Sequence, residues 1–374
     1  MARPGVCGDV TSAMLAARTG GGSRTAGTMV GSSVEARQRA AMSQLPVVKV
    51  HGNRNDILVI DGAPDEVFPG GEAARAVRRL CDRRDGLGAD GVYFIVDGGD
   101  GSGRAWFFNP DGSESLLCGN GMRGAGRLLL DRYDAGRVVL RTGPYDFTVR
   151  DAGTTPHGVR RTAVELPPVD FAPADPIVAG AAGPVVDRVL GAYHASLPVT
   201  AVAVPNSHLV SVITGYREDD LVETGLRVAG SPAAFPQGAN VSFVLPLDGR
   251  GPDDVYVQTY ERGAGLTPSC GSGVAASRAV LSRLGRVEPD VPVLVRNPGG
   301  PARSWLQETG GRWQPVLEGN GTIVFRAEVD RTSLAGEGAL SFVQEDDEAE
   351  LAAFDALYRE NREILADAGV KPTA

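Results

Sequence analysis

The chain has 374 residues, which is long enough for two domains that each bury a core of their own. Its formal net charge is −9 and no basic stripe stands out, which argues against a nucleic-acid partner. No apolar run has the length of a membrane span, and four cysteines without dense spacing indicate free thiols in a reducing compartment, so we expect a cytoplasmic protein.

The first half of the chain has the pattern of a strand-rich domain that contains two helices. Residues 1–45 are of low complexity, and we expect them to be unstructured; Met42 is an alternative start. The helical spacing of residues 71–83 places Cys81 on an apolar face, where a cysteine is usually a small core residue. The predicted strands are VVKVHG, DILVID, GVYFIV, AWFFN, VVLRTG, DFTVRD and RTAVEL, and the second predicted helix is GMRGAGRLLLDRY.

The second half repeats this theme after a proline-rich stretch at 167–176, which we interpret as a linker. Strands are predicted in TAVAVPNSHLVSVIT, NVSFVLP and VYVQTYERG, followed by the helix VAASRAVLSRLG. Near the end, residues 345–369 carry one apolar helical stripe, which we expect to pack on the body or on a partner subunit; it consists of Phe354, Leu357, Tyr358, Ile364 and Leu365. The predicted organisation is an N-terminal extension at 1–45, a first domain at 46–166 to which about 325–343 return, a second domain at 167–324 and a helical extension at 344–374.

The tetrapeptide CGNG at 118–121 is nearly repeated as CGSG at 270–273, each time directly before a predicted helix. A cysteine at a helix N-terminus lies near unpaired N–H groups and the positive end of the dipole, so we expect both thiols to have lowered pKa values. The backbone amides that follow can hold an anion. These amides belong to Gly119, Asn120 and Gly121 in the first copy and to Gly271, Ser272 and Gly273 in the second.

Two such cysteines that face each other across a cleft have the arrangement for inverting a stereocentre. The thiolate of Cys118 or Cys270 removes the α-proton of an amino acid, and the thiol of the other returns a proton on the opposite face. Fixed amides and helix dipoles can stabilise the developing carbanion. Two quasi-equivalent α+β halves with a cleft between them are therefore predicted, and this chemistry requires no cofactor and no metal.

Six ordered motifs identify the chain as similar to the diaminopimelate epimerase family over about residues 46–343. The motifs are KVHGNRND (49–56), LCDRRDGLGADG (80–91), FFNPDGSESLLCGNGMR (107–123), PNSH (205–208), ANVSF (239–243) and YERGAGLTPSCGSG (260–273). The resemblance implies two pseudo-symmetric α/β domains, each a small barrel-like sheet around a central helix, with the active site between them. It also implies conversion of LL-diaminopimelate to the meso form without pyridoxal or metal, and it leaves a homodimer open because family members are often dimers.

The resemblance also assigns roles to individual residues by their position in the motifs. Cys118 and Cys270 are the expected acid/base thiols, while His208 and Glu261 are expected to contact the substrate amine and to assist thiol ionisation. A guanidinium fork is well suited to a carboxylate far from the reacting carbon. The residues expected to hold this distal amino-acid end are Asn55, Asn109, Asn206, Asn240 and Arg262.

Some positions differ from the usual family pattern, and they bear on the substrate rather than on the chemistry. Arg54 stands where a glycine is expected, Ile57 where an aromatic residue is common, Ser207 replaces a proline and Leu266 replaces a glutamate. The tripeptide GNG at 319–321 replaces a usual Gly-Pro-Ala. A racemase of the same family that acts on another amino acid is therefore an alternative.

Other classes of function are also considered. Proline racemase-like enzymes usually carry Cys-Gly-His where this chain has Asn120, and phenazine-pathway isomerases lack the paired thiols. A non-catalytic amino-acid-binding protein and a thiol redox protein are the alternatives from a different class. Only four histidines and no paired CxxC make metal binding improbable.

Overall fold

The computed structural model describes residues 43–371. Its first strand begins at Gln44, so Gln44 and Leu45, which we predicted to be unstructured, belong to the sheet. The expectation for the first 42 residues lies outside the described residues. No helix within 43–371 is both long and apolar enough to cross a membrane.

The secondary structure consists of many short strands and a smaller number of helices. The strands are β1 (Gln44–Gly52), β2 (Asn55–Asp61), β3 (Val92–Asp97), β4 (Ser102–Phe108), β5 (Glu114–Ser115), β6 (Arg137–Thr142), β7 (Tyr145–Thr154), β8 (Arg160–Glu165), β9 (Arg188–Val189), β10 (Pro198–Val204), β11 (Asn206–Val212), β12 (Asn240–Pro246), β13 (Asp254–Glu261), β14 (Gly265–Leu266), β15 (Val293–Asn297), β16 (Gly300–Thr309), β17 (Arg312–Asn320), β18 (Thr322–Asp330) and β19 (Phe342–Asp346). The helices are α1 (Pro64–Val67), α2 (Ala73–Cys81), α3 (Gly119–Tyr133), α4 (Glu218–Ala229), α5 (Gly271–Arg283), α6 (Arg331–Ala335) and α7 (Glu348–Asp367), with a 3₁₀ turn at Pro69–Gly71.

The pairing of the strands repeats in the two halves. In the first half, β1 and β2 are antiparallel, β2 and β3 parallel, β3 and β4 antiparallel, β4 and β6 parallel, and β6, β7 and β8 antiparallel. The same succession of directions runs through β10, β11, β12, β13, β15, β16 and β17 in the second half. The antiparallel pair β8–β17 joins the halves. The predicted pseudo-symmetric α/β fold is therefore observed, with all strands in one continuous sheet.

Each half wraps its sheet around one central helix. Helix α3 packs against β1, β2, β3, β6, β7 and β8, and α5 packs against β10 through β13 and against β16 and β17. The strands can approach α3 closely because it is rich in glycine. A methyl group at Gly124 would lie 2.4 Å from Cγ2 of Val50, and one at Gly126 would lie 2.5 Å from Cγ2 of Val149. Side chains from both halves, including Val50, Val149 and Val274, share one apolar core around the two helices.

The last helix, α7, packs on this body at both of its ends. Glu350 near its start pairs with the buried guanidinium of Arg127 on α3. Leu365 near its end is fully buried in the outer core of the second half. The ring of Phe354 meets that of His51 edge-on at 4.3 Å. The predicted stripe thus faces the protein body, although Leu357, Tyr358 and Ile364 are only partly buried.

Several elements have no counterpart in our sequence interpretation. Strands β15 to β18 and helix α4 were not predicted, and the run TAVAVPNSHLVSVIT forms two antiparallel strands that turn at Pro205. Strand β18 pairs with β1, which returns the chain to the first half of the sheet. Within the proline-rich stretch, Asp170 makes an isolated antiparallel bridge to Ala203.

Candidate active site

Cys118 and Cys270 are the N-cap residues of the two central helices. Both have extended backbone angles, and each sulfur accepts a hydrogen bond from the N–H group three residues later, Gly121 or Gly273, at 3.4 Å in both cases. Serine or aspartate usually occupies this position. A sulfur that caps a helix is held at the point where the first-turn N–H groups are unpaired, so each cysteine lies beside a helix end of the kind that can bind an anion.

The starts of the two helices lie directly against each other. A methyl group built on Gly119 would lie 3.8 Å from the Cα atom of Gly271. The side chain of Leu317 contacts both positions, at 3.4 Å from the Gly119 methyl and 3.0 Å from the Gly271 methyl. The amide of Asn120 reaches across and donates to the carbonyl of Ser269 at 3.0 Å. The fold therefore brings the two cysteine motifs, which are far apart in the sequence, to one place.

Cys118 is surrounded by polar groups of the first half. Its sulfur lies 3.4 Å from Oδ1 of Asn55, which also accepts from the Asn120 amide at 3.5 Å. The hydroxyl of Tyr93 accepts from the backbone N–H of Cys118 at 3.0 Å and donates to its carbonyl at 3.2 Å. Asn55, which we predicted to hold the distal end of a substrate, thus contacts the thiol of Cys118.

Cys270 lies beside a carboxylate. Its sulfur is 3.2 Å from Oε2 of Glu261, whose other oxygen accepts from the hydroxyl of Thr267 at 2.5 Å. The hydroxyl of Ser272 is 3.5 Å from the same sulfur and 3.0 Å from Nε2 of His208. Both His208 and Glu261 therefore lie on the side of the second cysteine.

The pKa values of both thiols are raised, which corrects our expectation. Burial raises the pKa of Cys118 to about 12 and that of Cys270 well above its ordinary value. The helix N–H groups of Gly121 and Gly273 act in the opposite direction but are outweighed, and the charge of Glu261 raises the pKa of both thiols further. Without a bound ligand, both cysteines are protonated at neutral pH.

Burial also keeps His208 neutral. Its pKa is lowered to about 3, and Nδ1 is buried without a hydrogen-bond partner among the described residues. Nε2 lies 3.2 Å from Oδ1 of Asn206, which can only accept, so Nε2 carries the proton. The pKa of Glu261 is raised, mainly by burial. A partly buried carboxylate with a raised pKa in contact with a thiol is suited to receive the thiol proton.

Of the remaining predicted residues, some lie close to the cysteines, His208 and Glu261, and others do not. Asn240 pairs with His208 in the parallel register of β11 and β12, and its Oδ1 accepts from the backbone N–H of Arg262 at 2.9 Å. The guanidinium of Arg262 is exposed and donates to the carbonyl of Gln237. Asn109 is not brought into this group, since its side chain donates to Ser113 at 3.0 Å within its own turn.

The structure shows what contacts several of the positions that differ from the family pattern. Arg54 adopts a positive φ of 64°, where a glycine is favoured, and its guanidinium stacks on the ring of Tyr358 of α7 at 4.5 Å. Ile57 is fully buried. Asn320 of the GNG tripeptide donates to the carbonyl of His51 at 3.0 Å and accepts from the N–H of Asn53 at 2.9 Å.

Sequence reasoning missed several residues at the site. Tyr93 and Leu317 lie in apolar strands, and nothing in their spacing separates them from other core residues. Asp90 lies in the motif LCDRRDGLGADG, whose pattern does not reveal that its carboxylate contacts Asn55. Among residues 43–371, no group of three or more His, Cys, Asp or Glu side chains could hold a metal ion.

Comparisons with known proteins identify the family of the chain. The family model for diaminopimelate epimerase matches residues 47–165 and 200–324. Proteins named diaminopimelate epimerase from Ligilactobacillus salivarius and Enterococcus faecalis are 31% and 33% identical to this chain. The aligned regions cover 83% and 76% of this chain and 98% and 89% of those proteins.

Solved structures of lower identity share the fold. A phenazine biosynthesis protein of Bacillus anthracis has a TM-score of 0.57 at 13% identity, and the match covers 76% of this chain and 99% of that protein. A hydroxyproline epimerase from Agrobacterium vitis has a TM-score of 0.53 at 16% identity, with 83% of this chain and 94% of that protein covered. The extent of the family match and the identity to these relatives show that the chain belongs to the diaminopimelate epimerase family of isomerases.

Proposed function

We propose that this protein converts LL-diaminopimelate to meso-diaminopimelate by proton transfer through Cys118 and Cys270. The observation that carries the proposal is the contact between the two helix starts that these cysteines cap, with Gly119 against Gly271. The names of the relatives support the choice of substrate.

In this mechanism, the α-carboxylate of the substrate binds the unpaired N–H groups of both helix starts. The ammonium group of the substrate brings a positive charge beside the thiols, which favours a thiolate, and Glu261 takes the proton from Cys270. The thiolate of Cys270 then removes the α-proton; the C–H bond breaks, an S–H bond forms, and the electron pair stays on the α-carbon and its carboxylate. The thiol of Cys118 donates its proton to the opposite face and is left as the thiolate.

The distal end of the substrate requires a second recognition group. Arg262 directly follows Glu261, and we assign it to the distal carboxylate. On binding, its guanidinium would replace its hydrogen bond to the carbonyl of Gln237 by one to this carboxylate. Asn206 and Asn240 lie on the adjacent strands β11 and β12 and are assigned to the same end. Replacing Arg262 by Met should raise KM for diaminopimelate about 10- to 100-fold while leaving kcat less affected.

The test is to incubate the purified protein with LL-diaminopimelate and with a panel of L-amino acids, followed by chiral chromatography. We expect epimerisation of diaminopimelate, incorporation of solvent deuterium at the α-carbon, and loss of both in Cys118→Ser and in Cys270→Ser. Preferred turnover of a monocarboxylic amino acid would contradict the substrate. Full activity in either serine variant would contradict the two-thiol mechanism, and binding without deuterium incorporation would mean a non-catalytic protein.

A further inference from the structure

Asp90 connects the surface of the first half to the site of Cys118. It lies two residues before strand β3, and Oδ1 of its carboxylate accepts from Nη2 of Arg83 at 2.7 Å. Oδ2 accepts from the backbone N–H of Asp56 at 2.9 Å and from the side-chain amide of Asn55 at 3.1 Å. Three donors thus hold one carboxylate in place, and one of these donors is a residue that contacts the thiol.

These contacts leave the Asn55 carboxamide only one orientation. An ionised carboxylate only accepts hydrogen bonds, so the nitrogen of Asn55 must face Asp90. Its oxygen is therefore turned to the other side, where it lies 3.4 Å from Sγ of Cys118 and 3.5 Å from the donating amide of Asn120. With the carboxamide reversed, two donors would face each other at Asn120.

We propose that Asp90 is a positioning residue, which fixes the carboxamide of Asn55 with its oxygen towards the thiol of Cys118. This inference rests on the proposed function only in giving Cys118 its role as a proton donor. An acceptor facing the sulfur stabilises the S–H form, so Asp90 keeps Cys118 protonated until the α-carbanion of the substrate takes the proton.

Other charged and titratable groups also face Cys118. The charge of Glu261 raises the pKa of this thiol, as does that of Asp90 itself, while the buried guanidinium of Arg123 lowers it. The hydroxyl of Tyr93 is neutral, because burial raises its pKa well above the ordinary value. Removing the charge of Asp90 and freeing the amide of Asn55 therefore both lower the pKa of Cys118, since a freed amide can turn its N–H group to the sulfur.

The test measures the reactivity of Cys118 in Asp90→Asn. Iodoacetamide alkylation is followed as a function of pH, and the Cys118 peptide is quantified by mass spectrometry. We expect the pKa of Cys118 to fall by about one unit and the alkylation rate at pH 8 to rise about three- to tenfold. The kcat/KM of the epimerase should fall about tenfold. Alkylation requires no turnover, so its result is independent of whether diaminopimelate is the substrate.

Asp56→Asn is the matched control. Asp56 also pairs with Arg83, at 3.2 Å, and with Lys49, at 3.1 Å, but its carboxylate does not hold the amide of Asn55. Its alkylation profile should be that of the unsubstituted protein.

The charge of Asp90 acts on Cys118 whether or not Asn55 is present, so the shift caused by Asp90→Asn is also measured in an Asn55→Ala background, where it should be smaller. An equal shift in Asp90→Asn and Asp56→Asn, no shift in Asp90→Asn, or the same shift with and without Asn55 would overturn the proposal. If Asp90→Asn does not fold, Asp90→Ser is measured instead; if neither folds, Asp90 is a structural residue and the proposal fails.

Discussion

The side-chain amide of Asn120 donates to the backbone carbonyl of Ser269 at 3.0 Å, and so ties the first turn of one central helix to the residue before the other N-cap cysteine. The same amide contacts Asn55, which in turn contacts Cys118. One asparagine therefore belongs to the surroundings of both thiols. The contrast between the two thiols lies in their other neighbours, an amide oxygen at Cys118 and a carboxylate at Cys270.

The role of this carboxylate can be tested with Glu261→Gln. Because the charge of Glu261 raises the pKa of Cys270, the glutamine variant should alkylate faster at Cys270 with iodoacetamide at pH 8. Its kcat should nevertheless fall about 100-fold, since no base remains to take the thiol proton. Glu308→Gln on the exposed end of β16 serves as the control and should change neither value. Slower alkylation of Cys270 in Glu261→Gln would contradict the assignment.

The contact between the helix starts predicts a loss and a rescue of activity. In Gly271→Ala, the added methyl lies 3.0 Å from Cδ2 of Leu317, so the neighbours must shift by a few tenths of an ångström. We expect kcat/KM to fall about tenfold, because the spacing of the thiols changes. The double variant Gly271→Ala/Leu317→Val should recover part of this loss in steady-state assays. No recovery would mean that the contact with Leu317 does not limit activity.

The cation–π contact between Arg54 and Tyr358 can be measured by a double-mutant cycle. Arg54→Gly removes the strain of a positive φ, worth about 1 kcal/mol, but also removes the stacking, worth about 0.5–1 kcal/mol. In a Tyr358→Ala background, only the relief of strain remains, so Arg54→Gly should stabilise the protein there by about 1 kcal/mol. Urea unfolding of the unsubstituted protein, the two single variants and the double variant gives both the stacking energy and the energy of the strain. The same effect of Arg54→Gly in both backgrounds would show that the guanidinium and the tyrosine ring do not couple.

The ion pair between α7 and α3 predicts an effect on stability. Glu350→Ala leaves the guanidinium of Arg127, a residue that is 6% exposed, without its bidentate partner. Because Glu350 is partly solvated and Asp131 also contacts Arg127, we expect a loss of about 2 kcal/mol in the free energy of unfolding. Glu348→Ala, on the exposed first turn of the same helix, should change it by less than about 0.5 kcal/mol.

The buried histidines predict a pH dependence of stability. Burial lowers the pKa of His51 to about 4 and that of His208 to about 3, so the unfolded chain binds more protons than the folded one below about pH 6.5. Stability therefore falls as the pH is lowered from about 6.5 to about 4. His51 contributes about 2 kcal/mol of this loss between pH 7 and pH 5. Between pH 7 and pH 5, the free energy of unfolding of His51→Gln should fall by about 2 kcal/mol less than that of the unsubstituted protein, as measured by urea titration at the two pH values. An equal fall in both proteins would contradict a buried, neutral His51.

The sequence was sufficient to predict the repeat and the position of both cysteines at helix starts, because CGNG and CGSG are local patterns that each precede a helix. It was not sufficient for the pKa values. The helix N-terminus was visible in the sequence, but the burial that outweighs it comes from distant residues such as Tyr93. The return of the chain to the first half was missed because β17 and β18 pair with β8 and β1, which lie far away in the sequence. Strands β15 and β16 pair with each other locally and were missed although their partners are close in the sequence. The position of Arg54 against Tyr358 could not be derived from either segment alone.

The main-chain contact at Gly119 and Gly271 has a consequence for how such an enzyme diversifies. In the proposed mechanism, the space for the reacting carbon is bounded by these two backbones, which have no rotamers with which to adjust, so the fold itself sets its width. Loops at the far end of the ligand can then change without disturbing that space. Selection for a new substrate would act on those loops and leave the chemical centre as it is.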